Sequence, residues 1–221
     1  MTLKKSNNSP FYIFIIALLF TGTGYSQWEA RVSMGINVSN TPDLRDYINE
    51  NFAFGGSQMP DFNSMIEFAG EAGFKVGQNL QIAVEGAYSF NSYTNVTLNG
   101  KYEMSYKFIS PSVMLYRVVD GNGYSFKFGG GVGPRFVAIN EIKPFVNTGT
   151  DYNSTGFGIV AKASGSTALS KSVFAYISAD ARYDAGGTPT NKNGVGLRHR
   201  GSDLSVTSLS VGVKLGISIN F

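Results

Sequence analysis

The sequence predicts an all-β chain: an eight-stranded antiparallel up-and-down transmembrane β-barrel with a short helix in its first long loop. Three observations carry this. Apolar and polar residues alternate with period two in eight segments, the pattern of strands whose two faces meet different environments. Short and long connections alternate between the segments, as in a barrel with tight turns at one end and loops at the other. No stretch beyond residue 26 is long and apolar enough for a helical span, which takes about 20 residues.

Composition agrees. The 221 residues fit one domain. Charged residues make up 15% of the chain, below the roughly 25% of a soluble domain. Mean hydropathy is near zero, as expected when each strand is apolar on one face only. The net charge of +3 includes Lys4 and Lys5, and the other basic residues are scattered except at Arg198-His199-Arg200. No nucleic-acid surface is indicated. The absence of cysteine excludes disulfides, thiolate metal sites and lipid attachment through an N-terminal cysteine.

Residues 1–26 read as a secretory signal. Lys4 and Lys5 form the positive start, residues 11–20 the apolar core, and Gly24 and Ser26 the small residues before cleavage. The mature barrel domain is then 27–221. In its first segment Trp28, Ala30, Val32, Met34, Ile36 and Val38 alternate with Glu29, Arg31, Ser33, Gly35, Asn37 and Ser39. Residues 42–52 break this period. Leu44, Tyr47, Ile48 and Phe52 have helical spacing, with Pro42 at the first helical position and Thr41 as the expected cap.

The second and third segments, near 64–76 and 80–92, set Ile66, Phe68, Phe74, Ile82, Val84 and Phe90 against Glu67, Glu71, Lys75, Gln81 and Glu85. In the fourth, 101–118, Tyr102, Met104, Tyr106 and Phe108 oppose Lys101, Glu103, Ser105 and Lys107. Its phase blurs at Ile109-Ser110-Pro111, where a bulge or edge-like break is expected because proline cannot donate to a ladder. The fifth to seventh lie near 123–138, 155–169 and 173–185, with Lys127, Arg135, Lys162, Asp180, Arg182 and Asp184 on their polar faces. The eighth runs from Leu209 to Phe221 with Lys214 on its polar face. Tight turns are expected around residues 77–79, 120–122 and 170–172, and long loops at 41–63, 93–100, 139–154 and 186–203.

The same alternation suits a soluble barrel with its apolar face inward. The inverted barrel is favoured by long segments and by charges of both signs along the polar faces. It is also favoured by aromatics near segment ends, at Tyr88, Phe90, Tyr102, Tyr106, Tyr124, Phe126, Phe136 and Tyr183, placed like interfacial girdles. The signal, the eight segments and the closing strand Val211 to Phe221 together resemble the small outer-membrane β-barrel family, whose eight-stranded members end in an aromatic residue. The resemblance covers the whole mature chain. It implies a bacterial outer membrane, with lipid and lipopolysaccharide around the barrel. It also implies that the insertion machinery reads Phe221 as an assembly signal. It does not choose among the family's adhesive, transport, secretion-accessory and orphan roles.

No catalytic set emerges. His199, Ser202 and Asp203 share one glycine-flanked loop, whereas nucleophilic catalysis needs a base held against the hydroxyl and oriented by a third group. Asp43, Asp46, Glu50 and Asp61 match no calcium loop, and Asn95-Val96-Thr97 has no meaning as a glycosylation sequon in a bacterial protein. Gly129, Gly130, Gly131 and Gly133 lie mid-strand with no following helix, so they relieve crowding and do not cradle phosphate. No cofactor or metal is expected. An eight-stranded barrel is just wide enough for its side chains, and charges inside it must pair. The expected lumen network is Glu67, Glu71, Glu85, Lys107, Lys127, Arg135, Lys162, Asp180, Arg182 and Lys214. These residues predict a plugged lumen and a structural or surface-interaction role through the external loops. The alternatives are a narrow passive conduit for small, even apolar, solutes or an accessory of a secretion system. An apolar upper lumen would favour the conduit, and the inward residues as assigned show none.

Overall fold

The computed structural model describes residues 27–53, 58–97, 100–146 and 148–221; the expected signal segment lies outside them. The barrel strands are β1 (Trp28–Asn40), β2 (Asn63–Lys75), β3 (Leu80–Thr97), β4 (Gly100–Asp120), β5 (Tyr124–Ile142), β6 (Thr150–Ala168), β7 (Val173–Gly186) and β8 (Thr207–Asn220). Each pairs antiparallel with its neighbours in sequence, and β8 pairs with β1 to close the ring. The register runs from Trp28 through Phe74, Ile82, Leu115, Gly130, Ala161, Ala181 and Val211 to Val38. One circuit thus climbs from residue 28 to residue 38 of the same strand, a shear of ten. For eight strands this places the tilt near the upper end of the usual range, about 35–45°.

The exposed face is apolar. Val32, Ile36, Val84, Val113, Phe128, Ile159 and Leu215 all stand open, Val32 and Leu215 at 66%. The inward face holds Arg31, Glu85, Lys127, Lys162 and Lys214, all buried. A water-soluble barrel reverses this arrangement, so the outer face is built for lipid. No helix among the described residues is long and apolar enough to cross a membrane; the crossing is made by strands.

Two expectations fail in an informative way. Strands β3 to β6 contain 18, 21, 19 and 19 residues, whereas the other four contain 13 or 14. Of the expected loop 93–100, residues 93–97 belong to β3 and residue 100 to β4, with 98–99 outside the described residues; of the expected loop 139–154, residues 139–142 belong to β5 and 150–154 to β6. The extra length rises above the apolar belt with its polarity inverted. There Tyr102, Met104, Tyr106, Phe108, Val137, Ile139 and Tyr152 point inward and are buried, while Lys101, Lys107, Asp151, Asn153 and Thr155 are exposed. Lys107 is accordingly not a lumen residue, and Tyr102 and Tyr106 are not girdle residues. Inward and outward positions keep their alternation through Ile109-Ser110-Pro111. What changes is the surroundings of the outward face, from water above to lipid below.

The break expected at Pro111 is not a bulge. Pairing of β4 with β5 stops after Ile109↔Phe136 and resumes at Val113↔Val132 in the same register. That register sets Pro111 opposite Pro134, and neither can donate to the ladder. The inward position beside them is Arg135, whose Nη1 shares its hydrogens among the carbonyls of Pro111 (3.0 Å), Pro134 (2.9 Å) and Gly133 (3.1 Å) and the Ser112 hydroxyl (3.2 Å). Gly133 permits this close approach, since a Cβ there would collide with the Pro111 carbonyl oxygen.

The helix α1 (Pro42–Phe52) forms where its spacing predicts, burying Leu44, Tyr47 and Ile48. Thr41 occupies the N-cap position, but its side chain makes no capping bond; its carbonyl accepts from the Arg45 amide at 3.0 Å. The helix sits in the mouth formed by the tall strands. Its apolar face joins Met59, Met65, Leu197, Leu204, Val206 and the inward residues of β4 to β6 in one cluster.

Candidate functional site

The interior has three storeys. At the short-turn end an open vestibule of about 370 Å³ stops at Glu29 and Lys127. Lys127 contacts Glu29, which also takes a hydrogen bond from Gln81 at 2.9 Å and lies 2.9 Å from Arg31. From there the charges link upward. Arg31 lies 3.9 Å from Glu71, Lys162 bridges Glu71 (3.0 Å) and Glu85, and Arg182 bridges Glu85 (2.7 Å), Glu67 (3.2 Å) and Asp180 (2.7 Å). Lys214 completes the set with Glu67 (2.6 Å) and Asp180. Tyr116 donates to Glu71 at 2.7 Å and Asn37 to Glu67 at 2.7 Å.

The network therefore joins Glu29, Glu67, Glu71, Glu85 and Asp180 to Arg31, Lys127, Lys162, Arg182 and Lys214, equal numbers of each sign. Desolvating charge is costly unless it is paired, and a balanced, bridged set limits that cost. Eight of the ten residues expected from sequence meet here. Arg135 stands apart in a pair with Asp184, and Lys107 faces solvent. Sequence reasoning left out Glu29, Arg31 and Asp184, although they share the inward parity of the rest and that parity could have found them.

Above the network lies a cavity of about 10 Å³, bounded by Asn37, Ser39, Glu67, Ser110 and Arg182, enough for one water. The apolar cluster fills the upper lumen above it. At the rim, Tyr47 and Tyr102 donate to Oε1 of the buried Glu141 at 2.7 and 3.1 Å. Burial and the adjacent Glu141 carboxylate push the Tyr47 phenol well above its ordinary range, so it stays a donor. Phe52 stacks on Tyr102 with ring centres 3.8 Å apart. Asn95 donates to the Phe52 carbonyl at 2.6 Å, and Arg200 forks onto Glu50. This rim site was not legible as a site, because Glu141 is a lone carboxylate beyond the apolar inward pair Val137 and Ile139, in a stretch that reads as loop from the sequence.

The loop candidates separate. His199 Nε2 faces Glu50 at 3.4 Å, while Asp203 takes Arg198 at 3.1 Å, so Ser202, His199 and Asp203 form no relay. Asp46 and Asp61 both contact Arg45, Asp43 accepts from the Ser205 amide at 3.3 Å, and the four acidic residues do not converge. Among the described residues no group of three or more potential ligands gathers. Gly129 and Gly131 make room, standing opposite the bulky inward Tyr116 and Met114.

No protein-family model and no curated protein matches the sequence. Solved structures do. Neisserial surface protein A superposes with a TM-score of 0.55 at 12% identity, covering 90% of this chain and 99% of that one. A major outer membrane protein from Thermus thermophilus gives a TM-score of 0.51 at 9% identity, covering 87% of this chain and 99% of that one. The chain has the small outer-membrane β-barrel fold. At such low identity the likeness concerns architecture alone.

Proposed function

We propose that the mature chain resides in a bacterial outer membrane, bounded by lipid and lipopolysaccharide, as a closed barrel that acts through its extracellular rim. The observation that carries this reading is the filled interior, a balanced charge network across the lipid-facing storey with α1 seated in the apolar storey above it. The rim is built to present surface. Four long strands lift their hairpins beyond the apolar belt, and α1 and residues 187–206 cover the lower side. The test is conductance of refolded protein in a planar bilayer. A closed barrel gives no steady channels, whereas stable nanosiemens openings would overturn the reading.

A second reading has one observation in its favour. The upper lumen is apolar, contrary to expectation, and an apolar chamber suits a passive route for small apolar solutes. This route requires α1 to leave and the solute to exit above the charge network. Faster uptake of a small apolar dye by cells carrying the chain than by cells lacking it would support this route; equal uptake would sink it.

A further inference from the structure

We infer that Glu141 is the anionic centre of a rim site for a primary ammonium group arriving from outside the cell. Glu141 is 1% exposed. Its Oε1 accepts from both Tyr47 and Tyr102, but its Oε2 is buried with no hydrogen-bond partner. Network carboxylates such as Glu67, Glu71 and Glu85 each sit beside two cations. The cation paired with Glu141 is Lys143, with Nζ 3.5 Å from Oε2 and its side chain 48% exposed. A buried carboxylate oxygen needs a close charged partner, and here it has only a distant, half-solvated one.

The surroundings suit an organic cation. Tyr47 and Tyr102 turn their hydroxyls to the carboxylate, Tyr152 lies near enough to feel its charge, and all three belong to the apolar cluster, so one buried charge is set among carbon-rich walls that suit the carbon chain of an organic cation. Phe145, two residues beyond Lys143, is 86% exposed with φ of 64°. That φ belongs to a tight turn, closed by the Val146 amide donating to the Lys143 carbonyl at 3.1 Å with Pro144 at its second position, where a positive φ at the third position is ordinary turn geometry. Lys143 acts as an internal ammonium that an incoming one replaces, with its carbon chain lying where the ligand's would lie.

The inference rests on the rim being the working surface, and its test is separate from conductance. The probe is butylammonium, with butanol as the neutral match, titrated calorimetrically against the full mature barrel in detergent. Heat-dependent gel migration verifies folding of each variant. Because Lys143 competes intramolecularly, wild type should bind weakly and Lys143→Ala about tenfold or more tightly. Lys143→Arg, which keeps a cation in place, should resemble wild type, and Glu141→Gln should show no saturable binding. Binding that is equal in Lys143→Ala and Lys143→Arg, equal for butanol, or retained by Glu141→Gln would overturn the site. The comparison of the two Lys143 variants decides the matter even if Glu141→Gln fails to fold.

Discussion

Arg135 serves two structures at once. Its Nε pairs with Asp184, and its Nη1 covers the carbonyls beside the opposed prolines. Arg135→Ala therefore strands a buried carboxylate and exposes a gap in the β4–β5 ladder. Breaking a buried pair costs about 3–5 kcal/mol, and Glu85→Ala, which leaves Lys162 and Arg182 each short of a partner, should fall in the same range. Lys107→Ala, on the exposed face, should stay within about 0.5 kcal/mol. Urea unfolding in detergent measures all three, and a Lys107→Ala loss equal to that of Arg135→Ala would contradict the assignment of faces. Tyr47 gives a pH test. Its folded pKa is raised by burial and by Glu141, so its contribution is whole below the unfolded value of about 10 and is lost as pH rises through the higher folded value. Near-ultraviolet circular dichroism should show α1 releasing at alkaline pH, with a later onset in Tyr47→Phe; identical onsets would show that Tyr47 ionisation is not what releases it.

At the scale of elements, β4 shows how far the sequence can be read. Its strand identity follows from alternation. Its side-chain orientation does not, because alternation states which residues share a face and not which medium that face meets. Tyr102 to Phe108 and Ile109 to Leu115 are apolar on opposite parities, and a single lipid-facing rule must read the change as a break. The structure resolves it as one strand passing between two media. The lumen charges on β2, β3, β6, β7 and β8 were legible because those positions lie within the lipid-facing storey, where a single rule holds. Lys107 misled because it lies above that storey. Segment β8 is legible throughout, and it supports a prediction about assembly. Phe221 is 67% exposed, and its amide donates to the Trp28 carbonyl at 2.9 Å, completing the β8–β1 seam. A fully buried Phe contributes about 1.5–3 kcal/mol, and this exposed end contributes less. Deleting Phe221 should therefore spare refolding in detergent while lowering the amount found in the outer membrane. Equal loss in both assays would show that the residue acts on stability and is not an assembly signal.

For the molecule as a whole, the decisive quantity is where the lipid boundary falls on the barrel. Apolar belts of such barrels are about 25 Å tall. On β4 the outward residues Leu115, Val113 and Ile109 are apolar and exposed, and the next two outward positions up the strand are Lys107 and Ser105. In register, Lys107 stands between the apolar outward residues Phe90 and Ala138, so the step is marked on β4 itself. Burying a lysine at the bilayer midplane costs about 2–4 kcal/mol, falling toward zero near the interface, so the barrel settles with Lys107 in water and Ile109 in lipid. The chain has no cysteine, so single thiols report without background. Refolded into liposomes, Lys107→Cys should react readily with a water-soluble maleimide. Ile109→Cys, two residues away on the same face of the same strand, should be protected until detergent is added. A boundary two residues sharp on β4 follows from the inverted polarity above Ile109, where the outward positions up the strand are Lys107, Ser105, Glu103 and Lys101. Equal labelling of the two thiols, either both reactive or both protected, would place the boundary elsewhere and remove the reason for the inward turn of Tyr102, Met104, Tyr106 and Phe108.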